Sequence, residues 1–437
     1  MLDSGTRVRL AIPSLGEIKA ARMNGGQRTK VFYGWRIVAA AFLNLFFAVG
    51  IVFYGFPVFY PSLVESLGIT RAQLTQGFFH GFLFVGLPFG LLAGAVIDRI
   101  GARWVILSGA VLIGTSLVLM GKISKLWQYE TLCIVEVLGY VLAGPIANQV
   151  LVARWFRLRR GRAMGYAYLG LGLGGVVAPL LIHHLIARYG WRSALEIVGL
   201  LIGGMLIPIS IWVTKSDPSE LGLSPDGVEA VDHPESLSET VASPSGAVAA
   251  VRSVNFWLIL LGSALVIGAI GAVIQHLVLF LKDLGYAAVV AAQFFTGVQV
   301  ASLAGRVVVG YVADRFSKAR TIALFYFWIG ASVLLLSVAH LPPAIWGFVG
   351  LFGFAMGADY MLIPLVTAEC FGTASLGRIL ALIITGYSLG QWGAPVLVGR
   401  IFDAHHSYDL AWKLIAAAGM VGGVVIYFVT PKKPQNV

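Results

Sequence analysis

From Ile37 to Val429 the chain runs as apolar blocks of about 20 residues, each closed by charge or by Pro and Gly. A helix needs about 20 such residues to cross roughly 30 Å of hydrocarbon. The blocks do not alternate as the strands of a membrane barrel would. The pattern predicts twelve spanning helices, at 33–60, 72–97, 104–121, 131–153, 163–187 and 193–213, then 255–281, 289–312, 321–340, 344–366, 378–401 and 411–430. Between the two sets, 214–252 holds seven acidic residues, four prolines and no long apolar block, the composition of a partly disordered linker. The expected fold is an all-α membrane protein of two six-helix bundles, 33–213 and 253–430. A basic arm (1–32) precedes them, the linker joins them, and a short tail (431–437) follows.

Composition agrees. Hydrophobic residues make up 58% and charged residues 12%, against about 25% charged in soluble domains. The 53 glycines suit close helix packing in lipid. A net charge of +11 would point to nucleic acid in a soluble protein, but here its distribution matters more. With the N-terminus inside, 22 Lys and Arg fall on the cytoplasmic side and 8 on the outer side; Arg306 belongs to neither. This asymmetry predicts a multi-pass plasma (inner) membrane protein with both termini cytoplasmic. Residues 1–30 lack the apolar core of a signal peptide. Met23 is an alternative start, since the organised sequence begins near Val31. Cys133 and Cys370 lie far apart in apolar segments and read as small apolar residues.

The two halves repeat. Gly94-Ala-Val-Ile-Asp98-Arg99-Ile-Gly101-Ala-Arg103 follows the second helix, and Gly310-Tyr-Val-Ala-Asp314-Arg315-Phe-Ser-Lys318-Ala-Arg320 follows the eighth, on the same side. A parallel repeat of two bundles is a transporter architecture, with its site between them. The two strings resemble the loop signature G-x-x-x-D-R/K-x-G-R/K-R/K of the major facilitator superfamily; the second copy lacks the second glycine. Two further strings resemble one branch of that family, the monocarboxylate transporters and oxalate–formate antiporters. They are Tyr33-Gly34-Trp35-Arg36, opening the first helix, and Trp155-Phe156-Arg157-Leu-Arg159-Arg160-Gly161-Arg162-Ala163-Met164-Gly165, opening the fifth.

Arg306 is the leading candidate for substrate contact. It lies eight residues before Asp314, on the order of 12 Å into the membrane. A guanidinium there needs a partner or a purpose. One reading pairs it with an intramembrane acid; the other uses its fork of donors on a carboxylate. The resemblance implies the second, because this branch carries a substrate arginine on the eighth helix. Gln299 and Ser302 share its helix face and offer neutral hydrogen bonds. The resemblance also leads one to expect an acid one turn before the arginine, where this chain has Ser302. Asp359 is therefore the candidate coupling residue, and Glu136 is a second buried acid with pairing inside its own bundle as the competing reading. Oxalate-type relatives place a lysine midway along the eleventh helix, where this chain reads Thr385-Gly-Tyr387-Ser-Leu389-Gly-Gln391-Trp392. One cation instead of two implies a monocarboxylate.

Tyr140, Asn148, His276, Tyr360 and Tyr387 complete the candidate substrate contacts, and Asn44, Tyr54, Gln275 and Gln391 are further polar groups at cavity depth, each also readable as an interhelical hydrogen bond. Gly170-Leu-Gly172-Leu-Gly174-Gly175 matches a dinucleotide fingerprint, but no strand precedes it, so its glycines read as packing contacts. His183-His184 and His405-His406 have no acids or thiols at ligand spacing, so no metal is expected, and no cofactor or catalytic motif is present. The function expected is secondary active transport of a lactate- or pyruvate-like monocarboxylate, by H⁺ symport or anion exchange, with a monomer as the functional unit. The alternatives are export of drugs or amphipathic metabolites, for which Arg306 is structural, and a non-transporting membrane receptor.

Overall fold

The computed structural model describes residues 32–156, 158–227, 244–357, 359–372 and 376–430, and no strand occurs among them. Among the described residues twelve long helical runs follow one another, and a short helix at Pro244–Val251 occupies part of the expected linker. In the first half these are α1 (Gly34–Leu67), α2 (71–100), α3 (Ala102–Met120), α4 (Leu126–Trp155), α5 (160–189) and α6 (191–213). In the second they are α7 (Val254–Asp283), α8 (Ala288–Arg315), α9 (Lys318–Val338), α10 (Pro342–Met356 and Asp359–Phe371), α11 (Leu376–His405) and α12 (Asp409–Tyr427). Packing repeats with a shift of six: α1 lies on α5 as α7 lies on α11, α3 on α6 as α9 on α12, and α2 on α4 as α8 on α10. The two bundles meet through α5 against α8 and α2 against α11. The end carrying the 213–227 segment is called the linker end below, and the opposite end, with the α1–α2 and α11–α12 turns, the distal end.

Helix boundaries follow from local chemistry. α1 outlasts its expected end at residue 60 and runs to Leu67 despite Pro57 and Pro61. It does so by changing pitch, with π geometry at Leu45–Ile51 and a 3₁₀ stretch at Phe56–Phe59, so each proline falls in a first turn where its missing N–H costs nothing. Gly68, at φ 62°, then ends the helix, and Thr70 and Gln73 cap α2 reciprocally, Oε1 of Gln73 accepting from the Thr70 N–H at 2.9 Å. Gly190, at φ 76°, separates α5 from α6.

The glycines of α5 do what the sequence assigns them. A Cβ on Gly170 would lie 2.1 Å from the Phe42 carbonyl oxygen, and one on Gly174 would lie 2.4 Å from that of Phe46, so α1 and α5 touch backbone to backbone.

α4 breaks at Gly144, whose ψ of −155° is extended, and restarts at Pro145. The carbonyls freed by the break need donors. Asn148 Nδ2 donates to the Ala143 and Gly144 carbonyls, each at 2.8 Å, and Asn44 Nδ2 donates to Ala143 at 2.8 Å and to Asn148 Oδ1 at 3.0 Å.

At the linker end the two strings that resemble the monocarboxylate branch pack on each other. The rings of Tyr33 and Trp155 lie 5.5 Å apart and those of Trp35 and Phe156 5.1 Å apart. Trp155 Nε1 donates to the Lys215 carbonyl and the Tyr33 hydroxyl to that of Val213, each at 2.9 Å, which fastens the start of the linker. Arg103 of the loop signature donates through Nε to the Ser210 carbonyl at 3.1 Å, closing the end of α6. Arg99 and Arg315 are exposed. The side chains of Asp98 and Asp314, together with Gly94 and Gly310, lie outside the described residues.

Candidate functional site

Two features lie between the bundles. The first is a stripe on α8. Gln299, Ser302 and Arg306 occupy i, i+3 and i+7 of one helical face, and all three are turned toward protein. Gln299 Nε2, Ser302 Oγ and Arg306 Nε are buried and find no hydrogen-bond partner among the described residues. Native proteins rarely leave one such donor idle, and three in a row on one face is an arrangement that wants an acceptor. The stripe faces the glycine edge of α5: a Cβ at Gly172 would sit 3.2 Å from Arg306 Nη1, and one at Gly175 would sit 3.4 Å from Gln299 Cδ. The same Gly175 site lies 2.9 Å from the Tyr54 ring, so α1 closes the Gln299 end.

On its other flank the stripe meets α10. A Cβ at Gly357 would lie 2.3 Å from the Ser302 carbonyl oxygen and 2.7 Å from the Arg306 backbone nitrogen. The second part of α10 therefore begins level with Arg306. The side chains of Asp359 and Tyr360 lie outside the described residues.

The second feature is a narrow cavity with room for little more than a single water. Its walls come from α1 (Phe53, Phe56, Tyr60), α2 (Phe78), α4 (Glu136, Tyr140), α7 (Gln275) and α11 (Trp392). Phe53 bridges the two features, because its ring is edge-on to Tyr54 at 5.1 Å and to Trp392 at 5.6 Å. Trp392 also stacks on Phe78 at 5.9 Å, so a residue of the second bundle fills the cleft between α1 and α2 of the first.

Beyond this cavity the distal end is closed by polar contacts between bundles. The Tyr60 hydroxyl donates to Gln275 Oε1 at 2.6 Å. Arg71, at the start of α2, donates to both carboxylate oxygens of Asp283 at 2.6 and 2.8 Å and to the Tyr408 hydroxyl at 2.6 Å. Its guanidinium lies 3.7 Å from the Phe402 ring centroid. The Asp403 carboxylate accepts from the backbone N–H groups of Arg71 and Ala72 at 3.1 and 3.0 Å, an anion on the first turn of α2. Burial holds the Tyr408 phenol above its usual range, against the pull of Arg71.

His276 belongs to this closure. Its Nε2 faces the Pro395 carbonyl at 2.9 Å and must donate, so Nδ1 accepts from the Tyr408 hydroxyl at 3.1 Å. The structure thus brings Arg306, Ser302 and Gln299 together, puts Tyr140 in the cavity wall, and sends His276 to the distal latch. Asn148 spends its amide on the α4 break, and Tyr387 is buried on α11. Sequence reasoning did not single out Trp392 or the latch residues Arg71, Asp283, Asp403 and Tyr408. The acids at the ends of α7 and α11 were the available signal, and they read as ordinary loop charges.

A family model described as Major Facilitator Superfamily matches residues 41–357 and 294–437. The chain belongs to the major facilitator superfamily. Among curated superfamily members it is 26% identical to monocarboxylate transporter 13 of Bos taurus over 411 residues, 91% of this chain and 89% of that protein. It is 24% identical to human monocarboxylate transporter 12 over 423 residues, 91% of this chain and 80% of that one. It is also 26% identical to MFS-type transporter 1 of Ophiocordyceps sp. over 399 residues, 86% of this chain and 79% of that one. Two solved structures share the fold. One is the nucleoside transporter NupG, with a TM-score of 0.70, 12% identity and coverage of 90% of this chain and 98% of that one. The other is a bacterial homolog of the human lysosomal transporter Spinster in an inward-facing, unoccupied conformation, with a TM-score of 0.63, 16% identity and coverage of 93% and 95%. The protein is thus a superfamily transporter resembling the monocarboxylate branch.

Proposed function

We propose that this protein is a secondary active carrier for a small monocarboxylate of the lactate or pyruvate kind, working by alternating access as an H⁺ symporter or an anion exchanger. The observation that carries the reading is the row of idle donors on α8, Gln299, Ser302 and Arg306, around a single guanidinium. A carboxylate presents two acceptor oxygens, and Arg306 with one neighbour supplies matching donors. The relatives named monocarboxylate transporters support the substrate class. The stretch of α11 opposite the cavity carries Tyr387, Gln391 and Trp392 and no cation, which favours one carboxylate over two.

The latch at the distal end supports a carrier resting with that end shut. The charge asymmetry supports a cytoplasmic linker end, so in this reading the shut end is the outer one. In this reading a substrate enters from the linker end, its carboxylate is taken by Arg306, and rocking of the bundles exchanges the latch for a closure at the linker end. Asp359, level with Arg306 on the backbone of α10, is a candidate partner for it or for a proton.

The test is uptake of labelled lactate and pyruvate into proteoliposomes. Saturable uptake that Arg306→Gln abolishes is the expected result, and undiminished transport by that variant would remove the basis of the reading. Export of amphipathic compounds is the second reading, favoured by the aromatic walls Phe53, Phe56, Phe78 and Trp392. Drug resistance conferred on an efflux-deficient host, with no acid uptake, would establish it instead.

A further inference from the structure

Glu136 stands apart from every other acid in the described structure. It is 1% exposed, it lies ten residues into α4 from the distal end, and it faces the cavity between the bundles. Neither carboxyl oxygen has a hydrogen-bond partner among the described residues. Pairing within its own bundle, the competing expectation from sequence, is not what the structure shows.

α1 presents Tyr60 and, nearby, Tyr54; α2 presents Phe78; α3 packs Ile113 behind Gly139; α7 presents Gln275; α11 presents Trp392. On α4 itself the neighbours are Tyr129, Cys133 and Tyr140. The Tyr129 hydroxyl is committed to the Leu74 carbonyl at 2.7 Å, and the Tyr60 hydroxyl to Gln275. His80 and Glu130 lie 4.0 Å apart toward the distal end, and His276 is turned to the latch. Among the described residues no Lys or Arg lines the cavity.

A carboxylate without water, cation or donor is the form a membrane interior tolerates least. Burial without a partner therefore favours the neutral acid at Glu136 until water reaches the cavity. Loss of that proton leaves an anion in a cavity that the Tyr60 hydroxyl also lines. That hydroxyl is already the link between α1 and α7 across the bundle interface. An ionised Glu136 competes for it and weakens the link, while opening the distal end admits the water that makes ionisation possible.

We infer that Glu136 is a proton-binding site that couples proton movement to opening and closing of the distal end through the Tyr60–Gln275 bond. The inference rests on the carrier reading above, and within it selects the proton as the coupling ion. The step is a proton transfer alone: the carboxylate takes H⁺ from cavity water on the distal side before that end closes, and after reorientation the acid gives it up to water reaching the cavity from the linker end.

The test separates driven transport from exchange. Wild type and Glu136→Gln are compared in proteoliposomes for pyruvate accumulation driven by a pH gradient and for pyruvate counterflow at equal pH on both sides. Counterflow cycles the loaded carrier and needs no net proton release. Gradient-driven accumulation is expected to fall at least tenfold relative to counterflow in Glu136→Gln. Equal loss of both, or of neither, overturns the inference, and failure of the wild type to carry any monocarboxylate overturns the carrier reading instead. A second readout needs no substrate. Infrared difference spectra of purified wild-type protein at neutral pH should contain a protonated-carboxyl C=O band that Glu136→Gln removes and Glu136→Asp shifts. A band unchanged in both variants, or its absence from the wild type, overturns the assignment.

Discussion

Arg71 and Asp283 join α2 of one bundle to α7 of the other through two N–H···O bonds of 2.6 and 2.8 Å, the paired geometry a guanidinium and a carboxylate favour. In the proposed alternating-access cycle the pair is a latch, because α2 has to part from α7 and α11 at this end. Asp283 is 37% exposed, so its share of the closure is modest, about 1 kcal/mol. Asp283→Asn is expected to raise the population open at the distal end roughly fivefold. The rate at which an impermeant maleimide, applied from the distal side, labels a cysteine placed at Phe56 measures this. Equal rates in variant and parent would show that Asp403 and the apolar contacts close the end without the pair.

Arg306 separates charge from geometry. Arg306→Lys keeps a cation on α8 but gives up the planar fork. Monocarboxylate binding, read as thermal stabilisation of purified protein, is expected to weaken about tenfold in Arg306→Lys, the loss of one charge-assisted bond, and to vanish in Arg306→Gln. Stabilisation of Arg306→Gln equal to wild type would place the substrate elsewhere.

Asn148 tests the break in α4. Asn148→Ala leaves the Gly144 carbonyl with only the 3.4 Å bond from the backbone N–H of residue 148 and Ala143 with Asn44 alone, a loss of about 1 kcal/mol. A lower melting temperature with unchanged substrate affinity in the surviving protein is the expected pair of results. A loss of affinity at normal stability would return Asn148 to the binding site.

Gly170 and Gly165 make a matched pair on α5. Gly170→Ala drives a methyl into the Phe42 carbonyl and is expected to destabilise by about 1–3 kcal/mol. Nothing lies within 4 Å of the Cβ position of Gly165, so Gly165→Ala is expected to be tolerated. Melting temperatures of the two variants, measured in the same detergent, decide it; equal values would mean that α1 and α5 separate without penalty.

Much of this protein was determined by its sequence alone, for reasons of one-dimensional physics. Hydrocarbon thickness fixes the length of an apolar block, so Ala102–Met120 and Asp409–Tyr427 are readable as spans wherever they pack. The repeated Asp98-Arg99 and Asp314-Arg315 strings make the second half a copy of the first. Helical periodicity puts Gln299, Ser302 and Arg306 on one face before any neighbour is known. Only the tertiary structure decided what those faces meet. Asn148 and Glu136 sit on one helix and are each 1% exposed, yet the break at Gly144 consumes the amide of the first while the carboxyl of the second is left unpartnered among the described residues. His276 looked like a cavity residue until Tyr408 and the Pro395 carbonyl, more than 100 positions away, took both ring nitrogens. Arg71 and Asp283 read as loop charges because a side chain's partner across two bundles is a matter of docking, which no local pattern encodes. Burial without a partner is the same kind of fact: it depends on every helix that fails to supply a donor, and a sequence shows only the one that carries the acid.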